Sequence, residues 1–258
     1  MSGLRTSAKY FLYGSPLYRP ARKAFLAVFD RKKLKALNLA QYLYGQFMGR
    51  GDLVFDVGAN VGEYTDTFLS LGARVVAVEP NPVCANWIKR MEATGSVLVE
   101  RVAIGDHEGF AELSISKWDV ISTLSEDWKL QVVRSGRWGK APWESSVCVP
   151  VTTLDALFIR HGPPQFIKID TEGFDDKVLD GMSFRPPTLS FEFIVDLLHV
   201  ARRSLEILGD GYLYNYVVGQ HFRLESPSWL TAAEMAQTLE RVSCPENYGD
   251  IIAKRLNS

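Results

Sequence analysis

Cysteine is scarce: Cys84, Cys148 and Cys244 are three in 258 residues and lie far apart. That spacing indicates neither a disulfide framework nor a thiolate metal site, and it fits a reducing compartment. The four histidines, His107, His161, His199 and His221, have no chelating spacing either. Long apolar runs are also lacking. No stretch is long enough to span a bilayer, and the opening MSGLRTSAKYFLYG has no uninterrupted hydrophobic segment of the kind a signal peptide needs. A cytoplasmic location is therefore expected. Acid is nearly missing from the first fifth of the chain. Residues 1–50 hold ten Lys or Arg against Asp30 alone, which leaves 19 basic and 29 acidic residues from 51 onward and a net charge of −1. Such an arm can face an anionic ligand, a membrane surface or nucleic acid. In the plainer alternative, Arg31, Lys32, Lys33 and Lys35 mark the wet face of a helix whose Leu34, Leu37, Leu39 and Leu43 pack inward. The acidic remainder disfavours nucleic acid, whereas peripheral membrane contact through the basic region stays open.

What the chain does have is enough apolar residues, 47% of the total, to bury a full core in one large domain. Residues 1–49 are expected to form a helical cap on that same unit, helical over 20–48, with residues 50–258 as the main domain. Strands at 53–57, 74–79 and 97–102 alternate with helices at 62–71 and 82–93, the rhythm of a parallel sheet whose ligand lies beyond the carboxyl ends of its strands. The rhythm then breaks. AELSIS (111–116) and SSVCVPV (145–151) alternate like two arms of a β excursion, and residues 110–151 are expected to form an aromatic-rich lid. Trp118, Trp128, Trp138 and Trp143 argue against disorder there. They serve either as stacking surfaces, with Arg134, Arg137 and Lys140 as charged contacts, or as anchors that hold a long loop to the sheet. The rhythm resumes with a helix capped by Thr152 or Thr153, strand 165–170, helix 173–181, strand 188–194, helix 196–208, strand 212–218, a helix near 230–241 and a last strand at 249–255, read as antiparallel.

The segment VFDVGANVGEYTDTFLSLGARVVAVEP, residues 54–80, holds a strand, a glycine turn, a helix and a strand ending in an acid. Gly58 and Gly62 would let backbone come close to a ligand, and Glu79 sits where an acid can hold two ribose hydroxyls. The turn lacks the third glycine of a dinucleotide fingerprint and the Lys-Ser/Thr of a phosphate loop. Asp56 can accept hydrogen bonds from an ammonium or from backbone amides, and Asn60 offers both donor and acceptor groups. A zwitterionic ligand carrying a nucleoside would suit this turn. Here the chain resembles the class I S-adenosylmethionine-dependent methyltransferases. Further on, VFDVGANVGEYT, VVAVEPNP, RVAIGDHEG, VTTLDAL and FIKIDTEGFDDKVLDG are similar to successive signatures of the FkbM-type family. The resemblance covers residues 50–255. It implies an α/β, Rossmann-like fold with a mostly parallel central sheet, helices on both faces and an antiparallel last strand. It also implies S-adenosyl-L-methionine as cofactor, held by Asp56, Gly58, Ala59, Asn60, Gly62, Glu79 and Pro80, with Ala103, Ile104 and Asp106 at the adenine. For Asp106, a turn aspartate bonded to its own backbone is the duller alternative.

IKIDTEG sets Lys168 and Asp170 on one strand face and Glu172 in the loop beyond, at the ligand edge of the sheet. Methyl transfer to an alcohol profits from a carboxylate that takes the hydroxyl proton, and Asp170 is the first choice for that base. Glu192, at the end of a neighbouring strand, would complete an acidic pocket. The pocket would work either as a carboxylate base alone or through a Mg²⁺ held by oxygen ligands. His199, on the helix that follows, could assist proton transfer or simply face solvent. Each acid also has a structural reading: Glu172 as a helix cap, Glu192 paired with an arginine of the basic arm, and Lys168 neutralising Asp170. The expected activity is O-methylation of a small-molecule or glycan hydroxyl. RNA or protein methylation and a noncatalytic cofactor-binding scaffold remain as alternatives, and the oligomeric state is left open.

Overall fold

Valine, isoleucine and phenylalanine crowd the runs LVFDV, RVVAV, FIKI and TLSFEFI, as strands covered on both faces require. In the computed structural model of the chain, which describes residues 15, 17–116, 122–135, 143–242 and 247–256, all four are central strands of one sheet. In chain order the first elements are α1 (Tyr18–Phe29), α2 (Arg31–Tyr44), β1 (Leu53–Val57), α3 (Glu63–Ser70), β2 (Arg74–Val78), α4 (Pro82–Ile88), β3 (Val97–Glu100) and β4 (Ala103–Ile104). The middle holds β5 (Gly109–Ser116), β6 (Ser122–Thr123), α5 (Glu126–Ser135), β7 (Trp143–Thr152), α6 (Leu154–His161) and β8 (Phe166–Ile169). There follow α7 (Asp175–Asp180), β9 (Thr188–Ile194), α8 (Leu198–Leu208), β10 (Tyr212–Val218), α9 (Ala232–Leu239) and β11 (Tyr248–Arg255).

Seven strands run in the order β10-β11-β9-β8-β1-β2-β3. Neighbours from β9 to β3 are parallel, and only β11 runs against both of its neighbours. The order reverses between β1 and β8, so their carboxyl ends open a crevice at the switch point of the sheet. Alternate residues feed two cores. Phe55, Ile167, Phe191 and Ile251 face one layer of helices, and Val54 and Phe166 face the other, whose Phe68 and Tyr44 pack against Phe166. After β4 the chain leaves this sheet: β5 pairs antiparallel with β7, and with β4 and β6 they form a second, four-stranded sheet. The predicted helix 82–93 ends at Ile88 and continues as a 3₁₀ turn over Lys89–Thr94, and the strand predicted at 97–102 stops at Glu100 because Ala103 and Ile104 pair with β7 instead.

The basic arm divides at Asp30, whose side chain accepts the Lys33 N–H at 2.9 Å and starts α2. Leu43, Ala40 and Tyr44 carry the packing of α2, while Leu34, Leu37 and Leu39 are only half-buried. Arg19 and Arg22 of α1 bind α3 rather than Glu192, reaching Asp66 at 2.7 and 2.8 Å, and Lys33 of α2 reaches Glu63 at 3.1 Å. Asp66 is buried, so the pairing counts for more than a surface bridge. Trp118, Trp138, Arg137, Lys140, Tyr10, Tyr13 and Cys244 lie outside the described residues. Trp128 packs among Ile194, Leu197, Val200 and Tyr248, as an anchor does, and Arg134 is exposed. Among the described residues no helix is long and apolar enough to cross a membrane.

Gly58 has φ +79°, and a Cβ there would fall 1.8 Å from the Asp170 carbonyl oxygen. Gly95, also at positive φ (+71°), has nothing within 4 Å of its Cβ position. Gly58→Ala is therefore expected to destabilise by ~3 kcal/mol or more, against ~1 kcal/mol for Gly95→Ala. Thermal unfolding of the two variants checks this, and equal melting temperatures would refute the close approach.

Candidate functional site

Where β1, β2 and β8 end, the sheet is too crowded for side chains between its loops. The Gly58 and Ala59 N–H groups both donate to the Val78 carbonyl at 3.0 Å, which folds the turn back over the end of β2. Asn60 takes the left-handed conformation (φ +51°) that its short side chain tolerates. Its N–H then donates to Glu79 Oε2 at 2.7 Å, and the Asn81 N–H donates to Glu79 Oε1, also at 2.7 Å. Each carboxylate oxygen keeps a lone pair for another donor, an arrangement that suits a vicinal diol. The glycines serve packing here. The Cβ space at Gly58 is filled by Asp170 backbone, and that at Gly62 (φ +82°) by Met91 and Ile88, so neither opens room for a ligand.

A cavity of about 300 Å³ lies over this turn. Of the residues singled out in the sequence, Gly58, Ala59, Asn60, Glu79, Pro80, Ala103, Ile104, Asp170 and Glu172 line it. Six predicted residues do not. Asp56 is 1% exposed and accepts the Thr65 hydroxyl at 2.5 Å, so it ties β1 to α3 from beneath. Gly62 is the N-cap of α3. Asp106 turns outward and meets His107 Nδ1 at 2.5 Å. Lys168 is wholly buried behind Asp170. Glu192 lies outside the lining; its backbone N–H donates to Asp175 at 3.1 Å, and its Oε2 is buried without a partner among the described residues. His199 has 62% of its side chain exposed on α8, 3.4 Å from Asp127, because the helix turns it toward α5 and away from the sheet.

Several contributors escape the sequence reading. Tyr64 and Glu63 come from α3, Phe174 from the loop after β8, and Ser122, Thr123 and Leu124 from the excursion. The excursion is fixed on both sides of the cavity. Asn81 Nδ2 donates to Ser122 Oγ at 3.1 Å, and Thr123 Oγ1 donates to the Glu172 carbonyl at 2.8 Å. Glu172 holds φ +55°, a strained state for a non-glycine residue, and this bond helps maintain it. Val102, Ala103, Ile104 and Leu113 make one wall apolar, the surface a purine ring requires. Buried Glu79 at one end and this wall at the other fit a nucleoside.

Beside the cavity, Lys168 Nζ lies 3.1 Å from Asp170 Oδ2 and 3.1 Å from Asp250 Oδ1, and 4.4 Å from the Tyr64 ring centre. Burial would depress this ammonium, but the charges of Asp170 and Asp250 outweigh it and hold Lys168 well above the usual lysine range. The lysine is thus shared by two acids, one of them absent from the sequence reading. Among the described residues no group of three or more His, Cys, Asp or Glu could hold a metal ion. The remaining acids respond first to burial. It pushes Asp56 up to about 6, Glu79 to about 7, and Asp175 to about 7; at Glu172 burial, with the charges of Asp170 and Asp175, gives about 8. All four lie above their unfolded values, so between pH 4 and 8 the folded chain binds more protons than the unfolded one, and stability falls as pH rises. The melting temperature is therefore expected to be higher at about pH 5.5 than at about pH 8.5. Differential scanning calorimetry checks this, and a rise across the interval would mean the acids are ionised in the fold.

Residues 56–206 match the family described as Methyltransferase FkbM domain. No curated protein sequence matches the chain. Among solved structures, the precorrin-6y C5,15-methyltransferase of Geobacter metallireducens is similar at 13% identity and TM-score 0.44, with 87% of this chain and 89% of that one covered. A TehB-like S-adenosylmethionine-dependent methyltransferase of Corynebacterium glutamicum gives 12% and 0.42, covering 92% and 100%. An O-methyltransferase of Bacillus cereus gives 15% and 0.41, covering 86% and 80%. Similarity of that extent says nothing about the acceptor. The family match spans more than half of the chain and includes the turn, the acid of β2 and the loop after β8, and so the chain belongs to the FkbM methyltransferase family, an enzyme of the Rossmann-like class I fold that uses S-adenosyl-L-methionine.

Proposed function

We propose that this methyltransferase acts on a hydroxyl of a sugar, a lipid or a small-molecule natural product, with Asp170 as the general base. S-adenosylmethionine, when bound, supplies a methyl group on an electrophilic sulfonium. Glu79 would take the ribose hydroxyls, Gly58, Ala59 and Asn60 the methionine end, and Ala103 and Ile104 the purine. Asp56 acts one layer deeper by pinning α3, and so keeps Tyr64 and Glu63 at the rim.

The observation that carries the reading is the state of Asp170. Its carboxylate faces the cavity with 28% of the side chain exposed, and buried Lys168 holds Oδ2 at 3.1 Å. Oδ1 has no partner among the described residues. A carboxylate fixed by one oxygen and open at the other can accept a proton from a hydroxyl brought alongside it. Glu172 lines the same wall with its pKa raised to about 8, so near neutral pH it offers a carboxylic O–H donor to a second acceptor oxygen. A polyhydroxylated acceptor fits one such pair of groups. We read residues 1–49 as a cap on the same unit as 50–258, supported by the ion pairs from α1 and α2 to α3.

Asp170→Asn is expected to lower kcat at least about 10²-fold and to leave the affinity for S-adenosylhomocysteine nearly unchanged. Glu79→Gln is expected to weaken that affinity about tenfold or more, since one oxygen becomes a donor facing the diol. Calorimetry with S-adenosylhomocysteine, alongside transfer of labelled methyl to a panel of hydroxylated acceptors, separates the two. Retained turnover in Asp170→Asn would remove it as the base.

A further inference from the structure

Among the described residues, the first two helices carry an apolar surface left exposed. Along α1, Tyr18, Arg22 and Leu26 turn toward the domain, where Tyr18 and Leu26 are buried and Arg22 meets Asp66. Beside that stripe runs a second at spacing i, i+4, i+8, i+11: Leu17, Ala21, Phe25 and Val28. Leu17 is 68% exposed, Phe25 60%, Val28 71% and the adjoining Phe29 72%. The Phe25 and Phe29 rings touch each other, 4.9 Å between centres. Single exposed apolar residues are ordinary, but a contiguous stripe on one short helix is not.

Charge frames the stripe. Residues 17–44 contain seven Lys or Arg and one acid, Asp30, whose side chain is occupied in capping α2. Arg19, Arg22 and Lys33 are committed to Asp66 and Glu63. Lys23, Arg31, Lys32 and Lys35 are exposed and have no ion pair among the described residues. Arg31 and Lys35 line a shallow groove with Ala27 and Leu34, where α1 meets α2, and Tyr42 continues the outer face of α2 with 74% exposure.

We infer that this outer face of α1 and α2 docks on an anionic lipid surface. Apolar side chains entering the interface beside uncompensated cations are what such a surface binds, and the rest of the chain, net acidic, confines the attraction to this face. A second copy meeting it about a two-fold axis would set the same four cations against each other. A nucleic acid would satisfy the cations but leave Leu17 and Val28 without apolar partners. The face is joined to the reaction cavity: Lys33 holds Glu63, a cavity-lining residue, at 3.1 Å.

Sedimentation of the full chain with vesicles of phosphatidylcholine, with and without phosphatidylserine, tests this at low and high salt. Binding is expected only with phosphatidylserine and is expected to weaken as salt rises. Phe25→Ser with Phe29→Ser, and separately Lys32→Glu with Lys35→Glu, should each reduce the bound fraction by about fivefold or more, with S-adenosylhomocysteine binding retained in both. No binding to phosphatidylserine vesicles, equal binding to both vesicle types, or unchanged binding in both double variants would overturn the inference. So would a concentration-dependent dimer in light scattering that both double variants abolish, which would give the face to a second copy. Salt-sensitive retention on RNA, lost in the lysine variant alone, would also overturn it.

Discussion

Backbone meets backbone where β1 and β8 end, and the rest of the site hangs on that contact. Because Gly58 has no side chain, the Asp170 carbonyl can sit where a Cβ would be. The turn that follows is then forced back over β2, its two N–H groups spent on the Val78 carbonyl. That leaves the Asn60 N–H aimed at Glu79, so the acid proposed to take the ribose is positioned by the same contact that sets the candidate base. Glu79 and Asp170 therefore share one steric origin. Moving the two strand ends apart by even a methyl group would displace both.

A second constraint is charge. The carboxyl edge of the sheet gathers Asp56, Asp170, Glu172, Asp175, Glu192 and Asp250 around one buried ammonium. Such a concentration of acids cannot all be ionised in a dry environment. Lys168 supports two of them directly, backbone and hydroxyl donors satisfy others, and the remainder hold their protons to higher pH. The antiparallel direction of β11 matters to this balance. It brings Asp250 opposite Glu192, within reach of Lys168, from 82 positions along the chain.

What the sequence made legible was local. The strand, glycine turn and acid of residues 54–80 are read within one βαβ unit, and the order of the later elements follows from period and punctuation, so the sheet and the turn that lines the cavity could be anticipated. Asp56 was misread because its motif position says nothing of its side of the strand: it shares the face of Val54 and points under α3. Asp250 was missed because only the register of an antiparallel strand joins it to Lys168. Ser122 to Leu124 were missed because they fall in a polar stretch without periodicity, and Asp106 and His199 were placed at the cavity wrongly because proximity in sequence to a cavity residue does not fix the direction of a side chain.

The excursion has a root and a tip with different obligations. Its root, where Gly109 pairs with Val151, is locked to the strand that carries Ala103 and Ile104. Toward the tip the Ser122 hydroxyl accepts from Asn81 in the loop after β2, and the Thr123 hydroxyl donates to the Glu172 carbonyl in the loop after β8. The hairpin thus couples the loops after β2 and β8 across the mouth of the cavity, so that any change in its reach would move Asn81 and Glu172 together.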